Sequence, residues 1–167
     1  MNERRLRVMA DTNVLITGAI FPRAFYEFLQ HVLRGDFVLV LSEHVLAEVR
    51  RWMDKKATPL QRSSLEVFLE ECAYELVPDP PLEEIQARAN LVRDIKDVPI
   101  VLAAIHARVD CLVSNDRDLT ARDETTEELR KYLQPMLVGT FLREVMGWTH
   151  EELEAVRGRT WKQMENG

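Results

Sequence analysis

At 167 residues, 46% hydrophobic and 30% charged, the chain has the size and composition of one folded domain with a full core. Its formal net charge of -6 excludes nucleic-acid binding through a broadly basic surface, though not through a local basic rim. Cys72 and Cys111 lack zinc-like spacing, no run nears the roughly 18 apolar residues of a membrane span, and Met1-Asn2-Glu3-Arg4-Arg5 precedes no signal-peptide core, so a reduced cytoplasmic protein without a membrane partner is expected.

Leu6 to Ala10 is too short for a helix and ends at the polar Asp11-Thr12-Asn13, so it reads as a buried strand closed by a turn. After Pro22, residues Phe25, Phe28, Leu29, Val32 and Leu33 keep helical spacing as far as Gly35. Phe37 to Leu41 is a second buried strand, and Ser42 caps a helix with Val45, Leu46, Val49 and Met53 on its inner face. Pro59 opens another helix striped by Leu65, Phe68, Leu69 and Cys72, and Tyr74 to Val77 reads as a short strand stopped by prolines. Leu82, Ile85, Ala89 and Val92 predict the next helix. Asp97 then stands as an N-cap before Val98, Val101, Leu102 and Ile105, with Pro99 in the tolerant first turn. Cys111 to Val113 and Met136 to Val138 read as strands, and Glu127 to Leu133, Phe141 to Met146 and Glu151 to Met164 as helices. Such strand–helix alternation predicts a mainly parallel sheet covered on both faces.

Parallel strands point their carboxyl ends at one edge, where α/β proteins bind ligands. Asp11 follows the first strand, Asp116 and Asp118 follow the strand after Asp97's helix, and Glu48 lies a turn or two into the helix after the second strand. These acids can all project toward that edge, and like charges gathered there call for a hard divalent cation such as Mg2+ or Mn2+. Each residue has a plainer role when taken singly: an Asx-turn for Asp11, an N-cap for Asp97, a solvated helix position for Glu48, loop positions for Asp116 and Asp118. Asp94 adds a nearby acid with a simple helix-end role. His31, His44, His106 and His150 show no paired metal spacing.

Four segments resemble those of PIN-domain nucleases, in the same order. They are Val8-Met9-Ala10-Asp11-Thr12-Asn13-Val14-Leu15-Ile16, Leu41-Ser42-Glu43-His44-Val45-Leu46-Ala47-Glu48-Val49, Lys96-Asp97-Val98-Pro99-Ile100-Val101-Leu102-Ala103-Ala104 and Asp110-Cys111-Leu112-Val113-Ser114-Asn115-Asp116-Arg117-Asp118-Leu119. The resemblance spans roughly residues 6 to 146. It implies a PIN-like three-layer α/β/α sandwich over 1–146, with 147–167 as a helical extension of the same domain. It implies a ribonuclease leaving 5'-phosphate and 3'-hydroxyl ends, in which Asp11, Glu48, Asp97 and Asp116 are catalytic ligands of Mg2+ or Mn2+ and Asp118 is an accessory metal ligand. Asn13 resembles the residue that orients the first aspartate, and Ser114 stands where the family often has threonine.

Within that family, a small stand-alone domain fits the toxin of a toxin–antitoxin pair, with an antitoxin protein as partner. Arg50, Arg51, Lys55 and Lys56 offer a substrate-binding rim for RNA, or else a solvated helix end favoured by the helix dipole. Apolar stripes from Leu60 to Cys72 and from Leu82 to Val92 suggest a homodimer, unless residues 147 to 167 fold back over them. The alternative function is a catalytically silent PIN-like module that binds RNA or protein. Aspartate phosphatase chemistry would want a second aspartate where Asn13 stands.

Overall fold

In the computed structural model, which describes residues 4–165, five short strands form one wholly parallel sheet. They are β1 (Arg7–Ala10), β2 (Val38–Ser42), β3 (Glu75–Val77), β4 (Cys111–Val113) and β5 (Gln134–Met136), ordered β3-β2-β1-β4-β5 across the sheet. Of the segment Met1-Asn2-Glu3-Arg4-Arg5, the first three residues lie outside those described. Val8 pairs with Leu39 on one side and Cys111 on the other, which makes β1 the central strand. The strand order reverses direction between β1 and β4, the switch point at which open α/β sheets leave a crevice. Val8, Met9, Ala10, Leu39, Val40, Leu41, Leu112 and Val113 are buried, so these strands carry continuous apolar runs rather than alternation.

The helices are α1 (Thr12–Ile20), α2 (Ala24–Leu33), α3 (Glu43–Lys55), α4 (Pro59–Glu71), α5 (Leu82–Ala87), α6 (Val98–Ala107), α7 (Arg117–Thr120), α8 (Glu124–Arg130), α9 (Val138–Glu144), α10 (His150–Val156) and α11 (Trp161–Glu165). They cover both faces of the sheet, which gives the expected three-layer α/β/α sandwich. Phe28, Phe37 and Phe141 meet with ring centroids 5.1 to 5.4 Å apart and tie α2 and α9 to the start of β2.

Several elements depart from the sequence reading. Helix α1 begins where only a turn was expected, because Val14-Leu15-Ile16 is apolar without a helical period. Gly18 lets α2 approach it: a Cβ there would stand 2.7 Å from Leu29 Cδ1 and 3.0 Å from the Phe25 carbonyl oxygen. The helix expected from Leu82 to Val92 stops at Ala87, and Leu91 and Val92 are buried outside any helix. Asp94 then accepts from the Lys96 N–H at 2.9 Å and opens a 3₁₀ turn, Ile95–Asp97, so a local side-chain bond displaces a longer helix. Asp97 occupies the N-cap position of α6 but with helical backbone angles and no capping bond. Helix α7 was not foreseen. Helix α8 starts early because Asp123 and Thr126 form a reciprocal cap, and β5 and α9 each begin before the expected residue.

The expected helix from Glu151 to Met164 is two short ones, parted at Gly158, whose φ of +72° suits glycine. This segment folds back onto the start and end of α2 and the end of α1. Trp148 Nε1 donates to His31 Nε2 at 2.9 Å, Arg159 donates to the Pro22 carbonyl at 2.6 Å and pairs with Glu27 at 2.9 Å, and Trp161 Nε1 donates to the Ile20 carbonyl. It leaves Leu60, Val67 and Leu82 exposed.

Candidate active site

Four acids reach one cavity of about 680 Å³ from four places in the fold. Asp11 ends β1, Glu48 lies on α3, Asp97 precedes α6, and Asp116 caps α7 just after β4. Parallel pairing brings the first and last together, since the Asp11 N–H donates to the Val113 carbonyl at 3.1 Å across the β1–β4 switch point. Thr12, Asn13, His44, Lys96 and Asn115 complete the polar wall.

Neutral donors hold these carboxylates in place. Asp11 Oδ1 accepts from the Thr12 N–H at 2.7 Å, and Oδ2 accepts from the Ser114 hydroxyl at 3.1 Å. Ser114 is fully buried, and its oxygen also accepts from the Asp116 N–H at 3.0 Å, so one hydroxyl sets the spacing of two acids. The Thr12 hydroxyl donates to Glu48 Oε1 at 2.9 Å, and His44 Nε2 lies 3.0 Å from the same oxygen. Asp116 Oδ1 accepts from the Asp118 N–H at 2.8 Å.

Asp97 has no such support: its Oδ2 is buried without a hydrogen-bond partner. Burial first, then the carboxyl of Asp116 beside it, then the charges of Asp11 and Asp94, push its pKa up to about 7. Burial likewise raises the Asp11 carboxyl, against the lowering effect of the Thr12 and Ser114 bonds, and the charges of Glu48 and Asp116 add to the rise. Among the described residues, no group of three or more acid, histidine or cysteine side chains stands together so as to hold a metal ion. The donor set is nonetheless all-oxygen and over-negative, and one oxygen lacks any donor. That chemistry fits a hard divalent cation and suits zinc-type sulfur and nitrogen coordination poorly.

The other expected site residues stand differently. Asn13 is exposed on the cavity wall and, among the described residues, makes no bond to Asp11; Thr12 and Ser114 do the orienting instead. Asp118 is not on the wall, and its contribution is the backbone N–H that steadies Asp116. Arg50, Arg51, Lys55 and Lys56 are exposed but do not border the cavity, which α3 meets only at His44, Val45 and Glu48. Lys55 is seven residues past Glu48, about 10 Å along the helix. The cation on the wall is Lys96. Sequence reasoning missed Thr12, whose only signal was a hydroxyl directly after the first aspartate.

No curated protein matches the chain. Among solved structures it is similar to PAE2754 from Pyrobaculum aerophilum, with a TM-score of 0.58 and 18% identity over 86% of this chain and 97% of that one, a likeness of fold. The PIN-domain family model matches residues 7–118, more than half of the chain and the span that carries all four cavity acids. The chain therefore belongs to the PIN-domain family, whose members are generally nucleases.

Proposed function

We propose that the chain is a metal-dependent endoribonuclease and the toxin of a toxin–antitoxin pair. One observation carries the nuclease reading: carboxylates from four separate elements line one cavity, and Asp97 is left with a buried, donorless oxygen. A fold has no structural need for that arrangement, which costs stability until positive charge enters it. Asp11, Glu48, Asp97 and Asp116 would hold Mg2+ or Mn2+, which supplies charge neutralisation at a phosphodiester and a more acidic water. The chain's own groups do the positioning. Ser114 fixes Asp11 relative to Asp116, the Thr12 hydroxyl fixes Glu48, and Lys96 offers a positive charge to a phosphate at the cavity.

Purified protein should cut single-stranded RNA with Mn2+ or Mg2+ and not with EDTA, and Asp116→Asn should lose far more activity than Asp118→Asn. Cleavage that is equal in wild type and Asp11→Asn would overturn the reading. The silent-module alternative draws on the absence of a ready-made cage among the described residues; it predicts that Mn2+ leaves the melting temperature unchanged. An adjacent small gene whose co-expressed product blocks cleavage would support the toxin role. Exposed Leu60, Val67 and Leu82 support a homodimer through α4 and α5, and a light-scattering mass near the 19.4 kDa of one chain would reject it.

A further inference from the structure

A second cavity, of about 230 Å³, lies beyond the far end of α7. Three arginines reach it from three places: Arg122 from the loop after α7, Arg130 from α8 and Arg143 from α9. Among the described residues none of the three forms an ion pair; nearby acids are engaged elsewhere, Asp123 with Arg93 at 2.6 Å and Glu128 with Lys131 at 2.8 Å. Glu144 is the acid on the wall, and it is solvent-exposed. Arg130 is held in place by donating from Nη2 to the Thr120 carbonyl at 2.9 Å, yet its Nε is buried with no acceptor. Burial and then the neighbouring charge of Arg122 lower the pKa of its guanidinium, against the raising effect of the Asp123 charge.

The place matters as much as the charge. Thr120 ends α7 and donates through both its N–H and its hydroxyl to the carbonyl of Asp116, the residue that caps the same helix beside the acidic cavity. The four-residue α7, about 6 Å long, thus connects a residue on the wall of one cavity to a residue on the wall of the other.

We propose that Arg122, Arg130 and Arg143 bind a backbone phosphate of the single-stranded nucleic acid whose neighbouring linkage enters the acidic cavity. The inference rests on the nuclease reading above. Guanidinium forks match phosphate oxygens, and a local cradle answers how a chain of net charge -6 holds a polyanion.

The test is fluorescence anisotropy of a labelled RNA oligonucleotide with the full chain in EDTA, titrated across salt. Arg122→Gln/Arg143→Gln is the variant of choice, because Arg130 also anchors Thr120. Its plot of log affinity against log salt should be shallower than wild type by about 0.7, the weight of one phosphate on a single strand. Arg122→Lys/Arg143→Lys should restore most of the slope. Wild-type slope and affinity in the Gln variant would overturn the proposal. So would a Gln variant that loses only a thermal shift given by inorganic phosphate, which would mark a free-anion site. If wild type cuts RNA while the Gln variant binds it normally, the cradle alone falls; if wild type neither cuts nor binds RNA, the nuclease reading falls with it.

Discussion

At the amino-terminal edge of the sheet, Asp110 accepts from the Arg4 guanidinium at 2.6 Å and from the Arg7 N–H at 2.8 Å, while Glu75 accepts from the Arg7 guanidinium at 2.5 Å. At the carboxyl edge of the same strands, Asp11, Glu48 and Asp116 rely on hydroxyls and backbone N–H groups, with His44 beside Glu48, and Asp97 Oδ2 has no donor. Arginines stand at the first edge as counter-ions that staple strand starts together. At the second edge the fold supplies neutral donors, which orient a carboxylate without neutralising it. Acids held that way are oriented without an arginine or lysine counter-ion, and this is what separates a candidate site from an ordinary ion-pair network.

The comparison breaks hardest at the first aspartate. Asp11→Asn and Asp97→Asn should each remove the Mn2+-induced rise in melting temperature and reduce RNA cleavage beyond the about 100-fold that a supporting residue carries. Both should leave the metal-free protein at least as stable as wild type, because they relieve repulsion; a clear loss of metal-free stability in both would contradict the account. Ser114→Ala comes next, with a loss of about 10- to 100-fold in metal affinity or activity, since one hydroxyl spaces two acids. Arg7→Met, at the opposite edge, should cost about 1–3 kcal/mol in urea denaturation and leave the metal-induced shift intact. Arg4→Ala should cost under about 1 kcal/mol, since its side chain is 67% exposed.

Proton linkage sharpens the same contrast. Asp97 titrates near 7 in the folded chain against a reference value of 3.8, so between those values the native state binds more protons than the unfolded one. Its contribution to stability therefore falls as pH rises from about 4 through 7 and is flat above that. With EDTA present, Asp97→Asn should gain on wild type in melting temperature over that window. Mn2+ affinity of wild type should rise across it, because the cation displaces the proton. A constant difference between the two proteins from pH 4 to 8 would refute the assignment.

Much of this edge was legible in the sequence because chain order and strand ends sufficed: Asp11, Glu48, Asp97 and Asp116 sit at predictable places in a parallel sheet. What was not legible follows from physics that leaves no period or spacing. Helix α1 spreads its apolar residues around its axis and so showed no amphipathic face, and the turn expected at Asp11 is in fact a helix cap. Thr12 and Asn13 could not be ranked as partners of the acids until the helix turned one inward and the other out to solvent. The capping bond expected of Asp97 needed an extended backbone, whereas the preceding 3₁₀ turn gives it a helical one. The arginine cradle draws on residues 122, 130 and 143, too far apart in sequence to read as a cluster.

The backward fold of the C-terminal segment has an optical consequence. Two of the three tryptophans lie in it, and both indole N–H groups are bonded to α2 or to the end of α1: Trp148 to His31, and Trp161 to the Ile20 carbonyl beside the ring of Tyr26. Because His31 Nε2 accepts from Trp148, its Nδ1 carries the proton that faces Asp36, so neither ring nitrogen is free to act as a base or a ligand. Release of the segment would wet the half-buried indole of Trp148 and shift its emission to the red, with a smaller change from Trp161, which is already 42% exposed. Carboxylate substitutions at the cavity leave those two bonds untouched, so tryptophan emission can report on this docking separately from anything the acids bind.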